Sequence, residues 1–76
     1  SPRQRVRQQE WPAGLTDREA EVLRLVAKGL SRRQAAKTLF VSEGTIRSHL
    51  EHIYSKIGIS NRSAATLFAM EHGLLN

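Results

Sequence analysis

The sequence predicts an all-α fold, a four-helix bundle that contains a helix-turn-helix. Residues suited to helix capping precede four segments in which apolar residues recur with helical spacing. Glycines follow three of these segments, and no stretch shows the alternating pattern of a strand. The predicted helices span residues 17–28, 32–38, 43–57 and 62–72.

The chain divides into an N-terminal arm and one domain. Residues 1–10 contain a single apolar side chain and no periodicity. We therefore predict that residues 1–14 form a linker or flexible arm and that residues 15–76 form the domain, with Trp11 packed over its edge. Because the sequence begins without Met, we expect it to be the C-terminal part of a longer protein or a trimmed form of one.

The first predicted helix begins after Thr16, because Thr16 and Glu19 have the spacing of a capping box. Gly29 is expected to end it, since glycine readily adopts the left-handed conformation that follows a last helical turn. A stripe of apolar residues gives this segment a face to bury: Leu15, Val22, Leu23, Leu25, Val26 and Leu30.

The second predicted helix begins after Ser31, which has Gln34 at capping-box spacing. Ala35 and Ala36 are small enough for the close helix approach that a helix-turn-helix requires. We predict that a buried turn follows, formed by Leu39, Phe40 and Val41.

The third predicted helix begins after Ser42, which can cap it, and ends before Gly58. Its apolar residues follow one another at offsets of four, three and four, which predicts a continuous inward stripe of Ile46, Leu50, Ile53 and Ile57. The opposite side carries Gly44, Ser48, Glu51 and Ser55, with Arg47 and Tyr54 on one flank.

The polar side of the third helix suits the major groove of DNA. Arg47 and Ser48 are the best candidates for base reading, because a guanidinium donates two hydrogen bonds to guanine O6 and N7. Glu51 is included as a specificity residue, since a carboxylate repels phosphate but accepts from cytosine N4. The predicted backbone contacts are Ser42, Thr45, His49, Lys56, Arg32 and Arg33.

The composition excludes several classes of protein. There is no cysteine, which is compatible with a reducing compartment, and no run of about 18 apolar residues that would span a membrane. His49 and His52 lack a third metal ligand at suitable spacing, so we predict no metal, no cofactor and no enzymatic activity. The net charge of +5 favours a polyanionic partner only weakly, because residues 1–10 supply +2 of it.

Two other interpretations remain open. Any surface helix exposes polar residues opposite its apolar stripe, so the chain could be a protein-interaction helix-turn-helix module that docks RNA polymerase or a second regulator. Such a surface should expose Leu, Phe or Tyr on the polar side of the third helix, where only Tyr54 is near. The other interpretation is a general nucleoid-binding protein, for which a net charge of +3 on residues 11–76 is low.

The fourth predicted helix begins after Ser60 or Asn61 and ends before Gly73. Apolar residues surround most of its circumference. This is more apolar surface than one contact with the core covers. We therefore predict that a second face forms a contact between two copies, against the alternative of a well-buried terminal helix. The predicted dimer contacts are Leu67, Met70 and Leu74.

A long pattern of residues resembles a known family, the LuxR-type (GerE-like) DNA-binding domain, in order and spacing over residues 15–75. The matching residues are Leu15-Thr16-Asp17-Arg18-Glu19, Glu21-Val22-Leu23, Ala27-Lys28-Gly29, Ser31, Ala36, Leu39, Val41-Ser42, Thr45-Ile46-Arg47, His49, Ile53, Lys56-Ile57-Gly58-Ile59, Arg62, Ala65 and Gly73-Leu74. The resemblance implies a bacterial, cytoplasmic transcription regulator, such as the output domain of a response regulator, that binds promoter DNA as a dimer through the fourth helix.

By position, the resemblance implies groove contacts for Thr45, Arg47, Ser48 and Glu51, and a phosphate contact for Lys56. The chain also departs from the family pattern. Arg32 stands where Asn is common, Gln34 where Glu is common, Ala35 where a larger aliphatic residue is common, and Glu51 where some relatives carry a basic residue. These departures bear on the operator sequence and, to a lesser degree, on the affinity.

Overall fold

The computed structural model describes residues 11–75. Within them the chain forms four α-helices and no strand: α1 (Asp17–Ala27), α2 (Arg32–Leu39), α3 (Glu43–Ile57) and α4 (Arg62–Glu71). This confirms the all-α, four-helix prediction, and every predicted helix boundary agrees within one residue. None of the helices in this range is long and apolar enough to cross a membrane.

The residues ahead of α1 contact the domain. Pro12–Gly14 form a 3-10 turn. Trp11 packs against the core, and its Nε1–H donates to Asp17 Oδ1 at 2.6 Å. The predicted division into an arm of residues 1–14 and a domain from residue 15 stays a prediction. The prediction for residues 1–10 lies outside the described range.

The helices begin where the capping residues predict. Thr16 and Glu19 form a complete capping box, with Glu19 N–H donating to Thr16 Oγ1 at 3.1 Å and Thr16 N–H donating to Glu19 Oε1 at 3.0 Å. Ser31 and Gln34 form a second one. Asn61, rather than Ser60, caps α4 through its side-chain oxygen. These bonds satisfy backbone donors that the first turn of a helix leaves unpaired.

The core is built around α1, which packs against each of the other three helices. The largest fully buried side chains come from α1 and α3: Val22, Leu23, Ile46 and Ile53. Ala35 and Ala36 of α2 are also buried, and α2 packs against α3. The pairing of α2 with α3 across a short connection is the helix-turn-helix that the sequence predicts.

The turn between α2 and α3 is only partly buried, which corrects one prediction. Leu39 and Val41 are half-buried against the core, but the Phe40 side chain is 94% exposed. The reason is the backbone: Phe40 adopts the left-handed conformation, with φ of +60°, and Val41 N–H donates to Ala36 O at 3.0 Å. This way of ending a helix reverses the chain and points the side chain of the left-handed residue outward.

Phe40→Gly should stabilise the domain. A residue with a Cβ atom in the left-handed region costs about 1 to 2 kcal/mol, and the exposed ring has little packing to lose. Because glycine gains freedom in the unfolded chain, we expect a net increase in the free energy of unfolding of about 1 kcal/mol or less, measured by urea titration. Phe40→Ala keeps the Cβ atom and should gain nothing. A loss of stability in Phe40→Gly would show that the ring packs in solution.

Candidate nucleic-acid interface

The helix α3 presents one polar face to solvent. Ile46, Leu50 and Ile53 are buried, so the residues on the opposite side of the helix point outward. Gly44, Ser48, Glu51 and Ser55 are all exposed. The candidate base-reading residues Arg47, Ser48 and Glu51 thus lie together on an accessible surface.

Arg47 and Glu51 contact each other across one helical turn. Arg47 Nε lies 3.9 Å from Glu51 Oε2, and both side chains are 69% exposed. An exposed pair at this spacing contributes only about 0.3 to 0.5 kcal/mol. Arg47 can therefore leave the Glu51 carboxylate for another acceptor at little cost. Until then, the carboxylate holds the guanidinium on the exposed face of α3.

The hydroxyl groups at the start of α3 are engaged in capping. Ser42 Oγ accepts from Thr45 N–H at 3.1 Å and lies 3.0 Å from Thr45 Oγ1. One of the two hydroxyl hydrogens is used between the side chains, which leaves the other free to donate to a ligand. Ser42 is exposed, whereas Thr45 and His49 are half-buried.

Lys56, predicted to contact phosphate, pairs its ammonium group with Glu19, while its side chain stays 36% exposed. Its Nζ donates to Glu19 Oε1 at 2.6 Å and to Gly14 O at 3.3 Å. The Glu19 side chain is only 7% exposed. Because a buried carboxylate needs a partner, removing Lys56 would leave an uncompensated charge. Lys56 therefore attaches α3 to α1, and its predicted phosphate contact stays a prediction.

The pKa of Glu19 reflects this attachment. Burial alone would raise the pKa of the carboxyl, but hydrogen bonds from Lys56 and Thr16 and the charge of Lys56 outweigh it. The pKa of Glu19 therefore lies below its ordinary value of 4.5. The carboxylate is charged in the folded domain and connects the first turn of α1 to the last turn of α3.

A cleft of about 370 Å³ lies beside the exposed face of α3. It is lined by Val26, Arg32, Arg47, Leu50, Glu51, Tyr54 and Arg62. Arg32 lies at the start of α2 and Arg62 at the start of α4. With Val26 of α1 and the residues of α3, all four helices contribute to the cleft. Arg33, the other predicted backbone contact on α2, is exposed but does not line it. The sequence did not single out Arg62 or Tyr54 as ligands, because their neighbours come from other helices.

The exposed part of α4 is smaller than predicted. Leu67 and Met70 are 55% and 59% exposed, but Leu74 is only 6% exposed and belongs to the core. The chain turns at Gly73, which has φ of +70°, and Leu74 N–H donates to Ala69 O at 2.8 Å. This turn folds Leu74 back onto the bundle. Leu74 is therefore not available for the dimer contact that was predicted for it.

The domain shows no convergence of three metal-ligating side chains among residues 11–75. The candidate interface consists instead of hydrogen-bond donors and cationic groups around one exposed helix. Such a surface is suited to a polyanion with acceptor groups.

The chain was compared with known proteins. Residues 13–69 match the family described as bacterial regulatory proteins, luxR family. The chain belongs to this family. Membership confirms the resemblance that the sequence suggested.

Three relatives illustrate the similarity within the luxR family. The transcriptional regulatory protein YdfI of Bacillus subtilis is 40% identical over 72 residues, covering 95% of this chain and 34% of YdfI. A nitrate/nitrite response regulator protein homolog of Haemophilus influenzae is 46% identical over 57 residues, covering 75% of this chain and 27% of that protein. The crystal structure of response regulator ChrA, from a heme-sensing two component system, superimposes with a TM-score of 0.72 at 44% identity.

The luxR-family domain is only part of each of these relatives. The match with ChrA covers 92% of this chain but 32% of that chain. The chain thus spans 34% or less of the length of the three proteins. All three are named as regulators, and none of the names describes catalysis.

The luxR-family domain should lose stability in acid partly through Glu19. A carboxyl group whose pKa is lowered by folding stabilises the native state above its unfolded pKa, and this contribution is lost as the pH falls through the folded pKa. Glu19→Gln should cost about 1 to 3 kcal/mol at pH 7 and should flatten the decline in the free energy of unfolding below pH 4.5. Urea titrations from pH 7 downward measure both effects.

Glu21→Gln is the matched control for this prediction. Glu21 is exposed on the same helix, and its ion pair with Arg18 spans 3.5 Å at the surface. Glu21→Gln should change the free energy of unfolding at pH 7, and its decline at lower pH, by clearly less than Glu19→Gln does. Equal effects of the two substitutions would contradict a special role for Glu19.

Proposed function

We propose that this luxR-family domain binds duplex DNA with sequence specificity to regulate transcription, with α3 in the major groove. The observation that carries the proposal is the exposed polar face of α3, opposite a buried apolar stripe and packed beside α2. In a helix-turn-helix the second helix of the unit enters the groove and the first crosses the backbone.

The residues on α3 have distinct roles in this proposal. Arg47 donates to guanine O6 and N7 once it leaves Glu51, while Ser48 hydrogen-bonds a neighbouring base. Glu51 accepts from cytosine N4 or points along the groove through water. Backbone phosphates are contacted by donors around the edge of the helix: Ser42, Thr45, His49, Lys56, Arg32 and Arg33.

Two copies would bind together on an imperfect inverted repeat. Leu67 and Met70 form an exposed apolar patch on α4 that a second copy can cover by two-fold symmetry. The two α3 helices would then enter successive major grooves on one face of the duplex. Because only two large apolar side chains contribute, the contact is weak alone, and binding to adjacent half-sites would strengthen it.

The names of the relatives suggest where the domain works. Two of the three proteins are named as response regulators, and the matches cover 27% and 32% of their lengths. We therefore propose that the domain is the output part of a bacterial response regulator in the cytoplasm, and that a further domain controls its access to DNA or its pairing.

One observation favours a second function, a protein-interaction module. The Phe40 ring is 94% exposed, two residues before the capping Ser42 of α3, and it offers an apolar contact to a partner such as RNA polymerase. That function predicts binding that depends little on salt and no protected region on a duplex. The DNA-binding proposal predicts the opposite on both points.

Arg47→Ala should reduce sequence preference more than general DNA affinity. Duplexes are selected from a random pool by the wild-type domain, and dissociation constants are then measured for the selected and a random duplex at two salt concentrations. Loss of a bidentate guanine contact should weaken the selected site by about 1 to 3 kcal/mol more than the random one.

Arg18→Ala is the matched control for Arg47→Ala. It removes the same charge and a similar intrahelical ion pair, at 3.5 Å, from α1 rather than α3. It should leave the ratio of the two affinities unchanged. If Arg47→Ala weakens both duplexes equally, Arg47 does not read bases. If no duplex is enriched and binding is independent of salt, the interaction-module function is favoured.

Leu67→Glu should separate pairing from DNA contact. A carboxylate in the centre of the α4 patch would be desolvated on pairing, so the affinity for the inverted repeat should fall by about tenfold or more. The affinity for a single half-site should stay the same, and it serves as the internal control for the added charge. Equal losses on the two duplexes would contradict pairing through α4.

A further inference from the structure

The cleft beside α3 contains cationic charge that the fold leaves unmatched. Of its three arginines, Arg47 lies 3.9 Å from the Glu51 carboxylate, which also lines the cleft. Neither Arg32 nor Arg62 has an ion-pair partner among residues 11–75. Two guanidinium charges therefore remain for a ligand, next to the surface that is proposed to face DNA.

Arg62 is held in place by backbone carbonyls at the end of α1. Its Nη2 group donates to Val26 O at 3.1 Å and to Leu30 O, which lie at and just beyond the end of α1. These carbonyls fix the guanidinium but do not neutralise it. A guanidinium has five donor hydrogens, and within the described part of the chain the Nε and Nη1 donors of Arg62 have no partner. The charge is thus positioned before any ligand binds.

Tyr54 supplies a neutral donor to the same cleft. Its side chain is half-buried and packs against the core, which restricts the ring. Its hydroxyl group has no hydrogen-bond partner in residues 11–75, although a tyrosine that packs by its ring usually finds one for its oxygen. The hydroxyl is therefore available to a ligand that accepts a hydrogen bond.

The position of the cleft relates it to the DNA backbone. Tyr54 follows Arg47 by seven residues, so the two share one side of α3 about 10 Å apart along its axis. Arg32 is the first residue of α2, the helix that crosses the backbone in a helix-turn-helix. A strand that borders the groove occupied by α3 would pass the cleft between these two helices.

We infer that this cleft is a site for one backbone phosphate of the bound duplex, and that Arg32 and the Tyr54 hydroxyl donate to its oxygens while Arg62 supplies a fixed charge behind them. A guanidinium matches two oxygens of a phosphate with parallel hydrogen bonds. The buried Val26 and Leu50 form an apolar floor that suits the neighbouring sugar. The inference rests on the proposed DNA binding and adds Tyr54 and Arg62 to it.

Arg32 and Arg18 provide the test. Both are exposed arginines in the first turn of a helix, but only Arg32 lines the cleft. Dissociation constants for a selected duplex are measured over a range of KCl concentrations with the wild type, Arg32→Gln, Arg18→Gln and Tyr54→Phe. Thermal unfolding of each variant confirms that it is folded.

Arg32→Gln should reduce the slope of log affinity against log salt by about one, because one phosphate contact is lost. Arg18→Gln should leave the slope nearly unchanged. Tyr54→Phe removes only the hydroxyl group and should weaken binding by about two- to tenfold without altering the slope. Equal slopes for Arg32→Gln and Arg18→Gln, or full affinity in Tyr54→Phe, would overturn the inference.

A scan of the duplex with single methylphosphonates identifies the phosphate. Each replacement removes the charge of one phosphate, and the replacement at the site should weaken the wild type clearly more than Arg32→Gln, which keeps only Tyr54 and Arg62 there. If every replacement affects the two proteins equally, the cleft holds no backbone phosphate, although the proposed DNA binding stands. If the wild type binds no duplex at all, both proposals fail.

Discussion

The burial of one face of α3 against α1 is the constraint on which the rest of the structure depends. Ile46 and Ile53 are fully inaccessible, and burying each such side chain contributes about 1.5 to 3 kcal/mol. This burial sets the rotation of α3 about its axis, so Arg47, Ser48 and Glu51 must point to solvent. A rotation that hid these polar groups would expose the isoleucines. The candidate interface therefore follows from the packing of the core and not from local preferences of its own residues.

A second constraint acts at the ends of the helices. Glu19 completes the capping box at the start of α1 and accepts from Lys56 near the end of α3, so one carboxylate joins two helix termini. Buried ion pairs contribute little net stability, but they tolerate only a narrow range of geometry. Arg62 has a comparable role where it connects the start of α4 to the end of α1. Apolar packing holds the bundle together, while these polar contacts specify how its helices are aligned.

The two exposed apolar features have different origins. Phe40 is exposed because the left-handed backbone at the end of α2 directs its side chain away from the core. Leu67 and Met70 are exposed because α4 packs chiefly against α1, and its other side has no neighbour within the described domain. Single exposed apolar residues are common on soluble proteins, whereas adjacent ones on a helix face suggest a partner. This difference is the reason for assigning pairing to α4 rather than to the turn.

By itself the sequence determined the number of helices, their ends and the polar face of α3. These features depend on residues close together in the chain: a capping side chain bonds to a backbone group three residues away, and an apolar stripe repeats every three or four residues. Only the tertiary structure decided the partners of Lys56, the burial of Leu74, the exposure of Phe40 and the cleft shared by Arg32, Tyr54 and Arg62. Lys56 pairs with a carboxylate that lies 37 residues earlier. The burial of Leu74 and the exposure of Phe40 follow from how the chain turns at a helix end. Contacts between side chains far apart in the sequence leave no periodic signal, so the packing of the four helices had to reveal them.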